Sequence, residues 1–315
     1  MELDKVIDQL SFTFPFDLDE WCENPFIENY HYHTSMSNPM TTDSPTNNES
    51  YAKKIKEYGA KCIFSGEHGY QGNQLEVHSL SQKYGLKYRH SCEAYWVKNR
   101  FDKDNTNCHI CLIATNDDGR RDLNFVLSEA NISGYYYKPR LDLELILSLN
   151  PNNFIITSSC VAGWKYSDAD EIWLKIWEHF KNNFFLEVQY HNTNAQKELN
   201  KHILDLSNQY GIQIMCGLDS HYIDYDKDNI KREELLAEKD IKYEDEEGWY
   251  LDYPNFETIK NRFVDQGVLS QEEIALAMLN TLVFDSDKIE ECKFSKEFKI
   301  PNIYKNLSYD ERCKL

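Results

Sequence analysis

Short apolar or β-branched runs recur along this chain and alternate with stretches whose apolar residues repeat at helical spacing. The runs Ile27–His33, Ala60–Ser65, Lys87–Tyr95, His109–Ala114, Phe154–Ser159, Phe184–Val188 and Gln213–Leu218 predict buried strands. Between them, Ser50–Tyr58, Asp122–Ala130, Asp168–Lys181 and Thr193–Tyr210 predict amphipathic helices. In the last of these, Leu199, Ile203, Leu206 and Tyr210 share one face. Tyr58-Gly59 and Tyr210-Gly211 place a helix-ending glycine just ahead of a strand. Repeated strand–helix alternation implies α/β architecture, with parallel strands joined by crossover helices, and about seven such units favour a barrel over an open sheet. Residues 1–26 precede the first strand as an extension, and 27–225 carry the barrel pattern. Beyond Tyr222 the pattern turns helical, as in Ser270–Leu282, so 226–315 are expected to form a helical appendage.

Composition narrows the setting. The chain has 315 residues, 41% of them hydrophobic, which is ample for a large core. No run is long and apolar enough to span a bilayer, and residues 1–20 lack a basic start followed by an apolar stretch, so no membrane partner and a cytoplasmic location are expected. There the nine cysteines stay reduced, as core residues or ligands. A net charge of −19 speaks against a free-standing duplex-DNA binder, which needs clustered basic residues to displace counterions. It leaves room for an enzyme that meets nucleic acid through metal ions, or for a domain docked on a more basic partner. The densely charged stretch from Asp224 to Glu247 reads as a solvated helix and loop.

Candidate chemistry gathers at strand ends. In His31-Tyr32-His33 the imidazoles lie two apart on a strand and can reach one ion, although such pairs are more often core or surface histidines. Gly66-Glu67-His68-Gly69 follows an apolar run, with glycines that let the backbone approach closely, or it is a turn with an incidental histidine. Glu93 sits in an apolar stretch where an unpaired carboxylate is costly; metal binding resolves the cost. His109 opens its strand rather than ending it, which suits the barrel pattern less well. Cys108 and Cys111 form a C-x-x-C without the second pair of a zinc ribbon. Cys160 ends a strand and is either a small core residue or a thiolate ligand. Asp219-Ser220-His221 again puts two ligand types on one side of a strand end. Asp43 lies in a polar loop and by itself reads as a turn or cap residue. His78, His90, His179, His191 and His202 lack strand-end placement and read as ordinary.

The order of these motifs resembles the PHP (polymerase and histidinol phosphatase) family, and within it the N-terminal region of the bacterial DNA polymerase III alpha subunits, the C-family replicative polymerases. His109–Ala130, Tyr135–Leu145 with its aromatic-Lys-Pro-Arg turn, Phe185–Gln189, Asp219–Ile223, Gly248–Phe263 and Glu272–Ile289 extend the likeness over roughly residues 27–310. The resemblance implies a distorted TIM-like (β/α) barrel with up to three divalent ions at its strand ends. It assigns as ligands His31, His33, Asp43, His68, Glu93, His109, Cys160, Asp219 and His221. Two departures stand out: Glu67 occupies a position where the family usually has aspartate, and the loop between His33 and Asp43 is long. The palm-type aspartate motif of the polymerase is not found in these residues, so polymerisation would lie elsewhere.

The implied chemistry is phosphoester hydrolysis, with Glu93, Asp219 and His221 as the catalytic core and zinc, manganese, iron or magnesium as the ion. The implied role is a 3′–5′ exonuclease in DNA replication. Its substrate would be a single-stranded DNA 3′ end at the metal site, and its partners a polymerase core or other replisome subunits. Two alternatives remain open: a polymerase subunit whose barrel mainly scaffolds, and a small-molecule phosphatase akin to histidinol phosphatase. Arg120 and Arg121 read as surface charge, and Lys138 and Arg140 as a structural turn, although all four could meet a nucleic-acid backbone.

Overall fold

The computed structural model describes residues 6–13, 15–42, 44–242, 247–295, 308 and 311. Among them run eight strands: β1 (Cys62–Phe64), β2 (Lys87–Arg89), β3 (Ser91–Trp96), β4 (Cys108–Ala114), β5 (Arg140–Leu141), β6 (Phe154–Thr157), β7 (Phe184–Val188) and β8 (Ile214–Cys216). β1 and β2 pair in parallel, and a mixed sheet runs in the order β5-β3-β4-β6-β7-β8. Only His90 separates β2 from β3. A parallel bridge between His68 and Glu93 carries the β1–β2 register onward onto β3, so the two sheets form one curved wall.

That wall returns on itself through residues 27–33. Tyr32 bridges Ser220 in parallel: Ser220 N donates to His31 O at 3.1 Å, and His33 N to Ser220 O at 2.7 Å. On its other flank this segment meets β1 through side chains. The Glu28 carboxylate accepts the N–H groups of Lys61 (2.8 Å) and Cys62 (2.9 Å). The Tyr32 hydroxyl donates to Phe64 O at 2.7 Å and accepts the Phe64 N–H at 3.0 Å. The result is a mixed α/β barrel with one stitched seam. Ile27–His33 was expected to be a strand. It is extended, but the ladder on its β1 side is replaced by these two buried polar groups.

Strand direction departs from the all-parallel expectation at one place. β4 pairs antiparallel with both β3 and β6. The reason is the Val97–Asn107 connection, which contains no helix and returns the chain directly, whereas a parallel partner needs a long crossover.

The helices fall close to their expected places, with ends set by caps. Asn47 accepts from Ser50 N to start Asn48–Glu57, and Thr193 accepts from Gln196 N to start Asn194–Tyr210. Asn116 caps Gly119 N and begins Asp117–Ile132 earlier than the apolar periodicity suggested. Gln74–Tyr84 is a helix the pattern did not single out; it ends at Gly85 in a left-handed conformation. Past residue 222, Tyr225–Glu238, Phe256–Gln266 and Gln271–Asn280 are helical. The last carries a Ser270/Glu273 capping box. This region packs into the same core as the barrel. Asn280 Nδ2 donates to Ile214 O at 2.8 Å, Thr281 Oγ1 accepts Glu28 N at 3.1 Å, and Arg89 Nε donates to Phe284 O at 2.7 Å.

The seam makes stability depend on pH. Glu28 is fully buried, and burial is the main cause that lifts its pKa from 4.5 to about 7, with Asp285 adding and Arg89 opposing. Within that interval the folded chain keeps a proton the unfolded chain has lost, so stability declines as pH rises through it. The span corresponds to a loss on the order of 3 kcal/mol. Glu28→Gln cannot ionise and is expected to flatten this limb of the urea-derived stability curve between about pH 5 and 8. A variant curve parallel to the wild type would refute the assignment.

Candidate metal centre

Eight of the nine expected ligands converge at one end of the barrel; Asp43 lies outside the described residues. His31 and His33 project from the segment beside the seam, His68 follows β1, Glu93 lies within β3, Cys160 follows β6, and Asp219 and His221 follow β8. His109, which opens its strand, fits because β4 is reversed. Its start faces the same end as the other strands' finishes, and it pairs with Tyr95 next to Glu93.

Glu93 is the hub. Its carboxylate lies 3.1 Å from His31 Nε2, 3.2 Å from His33 Nε2, 2.6 Å from His68 Nδ1 and 2.9 Å from His109 Nδ1. Asp219 Oδ1 lies 3.2 Å from His31 Nε2, 3.3 Å from His33 Nε2 and 3.9 Å from His221 Nδ1. Cys160 Sγ is 3.6 Å from His109 Nδ1 and 3.9 Å from Glu93 Oε1. The rings of His33 and His68 stack at 3.7 Å, with His221 4.9 Å from His33.

These approaches are short but poorly directed. Among the described residues, His31 Nε2, His33 Nε2, His68 Nδ1, Glu93 Oε2 and Asp219 Oδ1 are all buried without a properly formed hydrogen bond. Buried polar atoms are almost always paired, and five orphans pointing at one another are a set that could serve as donors to an ion. His33/His68/His221, His31/His33/Glu93 and His68/Glu93/His109 each bring three donor atoms within 4.8 Å of one another. The residues therefore fit divalent metal, with mixed nitrogen, oxygen and sulfur donors that leave its identity open.

Backbone strain is stored here as well. Asp219 (φ +50°) and Ser159 (φ +57°) both occupy the left-handed region. Asp219 thereby turns back toward the histidines, and Ser159 Oγ donates to Glu93 Oε1 at 2.6 Å.

Protonation follows from the packing. Burial resists ionisation of Glu93, but the imidazoles of His109, His31 and His68 outweigh it and hold the carboxyl well below its usual range. Asp219 is likewise held low against burial by His31, His33 and His221. Burial would neutralise His33, yet Asp219 and Glu93 lift it to about 10, while burial and the neighbouring His33 lower His68 to about 4. Burial keeps the Cys160 thiol well above its ordinary value.

Behind the ligands lies a layer that sequence reasoning missed. Glu187, in β7, is fully buried and contacts His31 Nδ1 at 2.7 Å. It also accepts from Tyr30 Oη (2.8 Å), Thr157 Oγ1 (2.8 Å) and Gln189 Nε2 (2.7 Å). By engaging Nδ1–H, it turns the His31 Nε2 lone pair toward Glu93 and Asp219. Gly217 makes room for it, since a Cβ there would lie 2.1 Å from Glu187 Oε1. The available signal was the one used for Glu93, a carboxylate inside the apolar run FFLEV. Glu67 belongs to this layer too. It accepts from Thr34 Oγ1 and Ser37 Oγ, each at 2.5 Å, and from Asn73 Nδ2 at 2.8 Å, and so ties down the loop after His33.

The remaining sequence candidates make other contacts, except that the Cys111 thiol groups with His31 and Glu187 as donor atoms within 4.8 Å of one another. Cys108 and Cys111 are buried thiols; burial pushes Cys111 up to about 12. Arg120 and Arg121 pair with Asp117 and Asp118 on their own helix. Lys138 Nζ bonds to Met40 O and lies 5.1 Å from the Tyr95 ring centroid. The buried Arg140 guanidinium bonds to carbonyls of Gly134, Arg100, Asp102 and Asp104. His90 bonds Tyr88 Oη and Asn124, His179 the Leu149 carbonyl, and His202 Asp170.

A family model described as the PHP domain matches residues 29–191. The DNA polymerase III subunit alpha of Aquifex aeolicus is 28% identical over 212 residues, covering 61% of this chain and 18% of that protein. The corresponding subunit of Helicobacter pylori (strain 26695) is 27% identical over 228 residues, covering 64% and 18%. The chain's match thus spans under a fifth of the length of these curated relatives. Among solved structures, a protein described as a metal-dependent phosphoesterase from Bifidobacterium adolescentis aligns at 11% identity and a TM-score of 0.41, covering 76% of this chain and 96% of that one.

Proposed function

The chain belongs to the PHP domain family, and from that premise we propose that it is a metal-dependent phosphoesterase acting as a 3′–5′ exonuclease on single-stranded DNA ends beside a replicative polymerase. The observation that carries the hydrolytic reading is the convergence of buried, unpartnered nitrogen and carboxylate atoms at one barrel end. The replicative reading is supported by the likeness to polymerase III alpha subunits. In this view residues 27–225 form the metal-binding barrel, residues 1–26 an extension, and 226–315 a helical segment leading toward a polymerase core or other replisome subunits. The cytoplasm is the proposed location; no described helix is long and apolar enough to cross a membrane.

His31, His33, His68, His109 and His221 supply nitrogen donors, Glu93 and Asp219 carboxylates that can bridge, and Cys160 sulfur. Divalent ions, when bound, supply Lewis-acid chemistry: they polarise a phosphoester and acidify water. The protein's own contribution is preorganisation. Ser159 and the imidazoles fix the Glu93 carboxylate, and Glu187 fixes His31. Burial keeps bulk water from competing for these groups.

The test is digestion of end-labelled single-stranded DNA by the purified chain with Mn²⁺ or Zn²⁺. Release of nucleotides from the 3′ end is expected, with loss on chelation. An ion-loaded chain that digests no DNA with any of these metals sinks the exonuclease reading. Release of phosphate from histidinol phosphate in its place would favour a small-molecule phosphatase.

A further inference from the structure

Just past β7 the chain reads Gln189-Tyr190-His191-Asn192, and His191 is completely buried. Its Nδ1 accepts the backbone N–H of Tyr250 at 3.1 Å. A neutral imidazole with an acceptor at Nδ1 must carry its proton on Nε2. Burial favours that neutral ring, drawing its pKa down to about 3. The residue is firmly held: its carbonyl accepts Gln266 Nε2 at 2.6 Å, and its ring lies 4.7 Å from that of Trp249. Asn192 N bonds to Gly248 O, locking the two segments together. Yet Nε2, the one donor of the ring, is buried and has no hydrogen-bond partner among the described residues. Such a donor is costly to leave unpaired.

Its surroundings adjoin the candidate metal centre. The segment that holds Nδ1 also touches the candidate metal centre, because His221 N donates to Leu251 O, next to Tyr250, at 2.7 Å. Asp219, His221 and His31 are among the charges that act on the ring. His191 nevertheless belongs to none of the donor groups that converge within 4.8 Å. The contrast with His31 is chemical. Glu187 takes the Nδ1–H of His31 and leaves its Nε2 lone pair for a metal, whereas Tyr250 fills the Nδ1 lone pair of His191 and leaves an N–H. An N–H cannot ligate a cation; it binds an anionic oxygen.

We propose that His191 is a substrate-facing residue whose Nε2–H binds a phosphoryl oxygen of a phosphate ester held at the metal centre. The proposal rests on reading that centre as a phosphoesterase site. It requires no proton transfer, and the ring stays neutral throughout.

Inorganic phosphate titrated calorimetrically into the Zn²⁺-loaded full chain tests it. His191→Phe keeps a ring against Trp249 but has no donor, and should bind phosphate roughly ten- to a hundredfold more weakly at unchanged zinc content. His191→Gln restores an N–H near the same place and should fall within about threefold of the wild type. Equal affinity in His191→Phe overturns the proposal, and so does loss of zinc from it, which would make His191 a ligand. Failure of the loaded wild type to bind phosphate overturns it as well. Should the Phe variant not fold, isotope-labelled histidine in the wild type gives the same answer. The His191 Nε2–H resonance must shift when phosphate is added, and an unmoved resonance defeats the idea. Phosphate binding through His191 without hydrolysis of any ester would leave this inference standing and refute the hydrolase reading.

Discussion

Glu93→Gln will cost the chain its metal ions, with affinity for Zn²⁺ or Mn²⁺ falling by at least about a hundredfold. Glu93 stands within 3.2 Å of four imidazole nitrogens and accepts from Ser159. Glutamine has nearly the same shape but brings one oxygen instead of two, and its NH₂ would face the very atoms that must offer lone pairs. The double replacement Asp219→Ala with His221→Ala should abolish uptake outright while leaving far-UV circular dichroism largely unchanged, because these residues follow β8 rather than lie within it. Uptake should also be pH-dependent in a defined direction. In the metal-free chain Glu93 and Asp219 are already ionised, whereas His33 holds a proton up to about pH 10. Metal must therefore displace protons, and affinity falls as pH falls. Calorimetry in buffers of different ionisation enthalpy measures that release directly. Unchanged zinc content in Glu93→Gln would show that the hub lies elsewhere.

The largest purely structural effect is expected at Arg140. Its buried guanidinium bonds to the carbonyls of Gly134, Arg100, Asp102 and Asp104, and so ties the turn before β5 to the long β3–β4 connection. Arg140→Met fills similar space and deprives all four carbonyls of their donor. A loss on the order of 3–5 kcal/mol follows, or roughly 10 °C in Tm. Arg140→Lys should rescue little, since a single ammonium cannot reproduce a planar fork aimed at four oxygens. Urea denaturation checks both. A loss below about 1 kcal/mol would mean that these carbonyls find water instead.

Much of this molecule was legible from sequence because burial and period leave a mark. Cys62–Phe64, Phe154–Thr157 and Phe184–Val188 are strands buried along their whole length, so their apolar runs are continuous. The gathering of eight candidate ligands at one barrel end was legible because their motifs sit at the ends or starts of such runs, although each motif alone reads as readily as core or turn. What escaped notice depends on partners distant in sequence. The reversal of β4 is decided by the length and lack of a helix in Val97–Asn107, and it brings His109, the apparent misfit, to the same barrel end as Glu93. Ile27–His33 reads as a strand locally, yet its β1 flank is formed by Glu28 and Tyr32. His191 looked ordinary because its tautomer is set by Tyr250, nearly sixty residues later in the chain.

The stitched seam settles the order in which the protein can be made. Glu28 N reaches Thr281 across 253 positions, and Asn29 reaches Ser220 across 191. Synthesis therefore delivers His31 and His33 long before their neighbours from β8 and beyond exist. Closing loops of that length comes late, after local helices and hairpins have formed. When closure comes, Glu28 and Tyr32 complete the wall with side-chain hydrogen bonds of their own. His31 and His33 lie on this same segment, so they meet Asp219 and His221 only when that closure has brought the chain after β8 beside them.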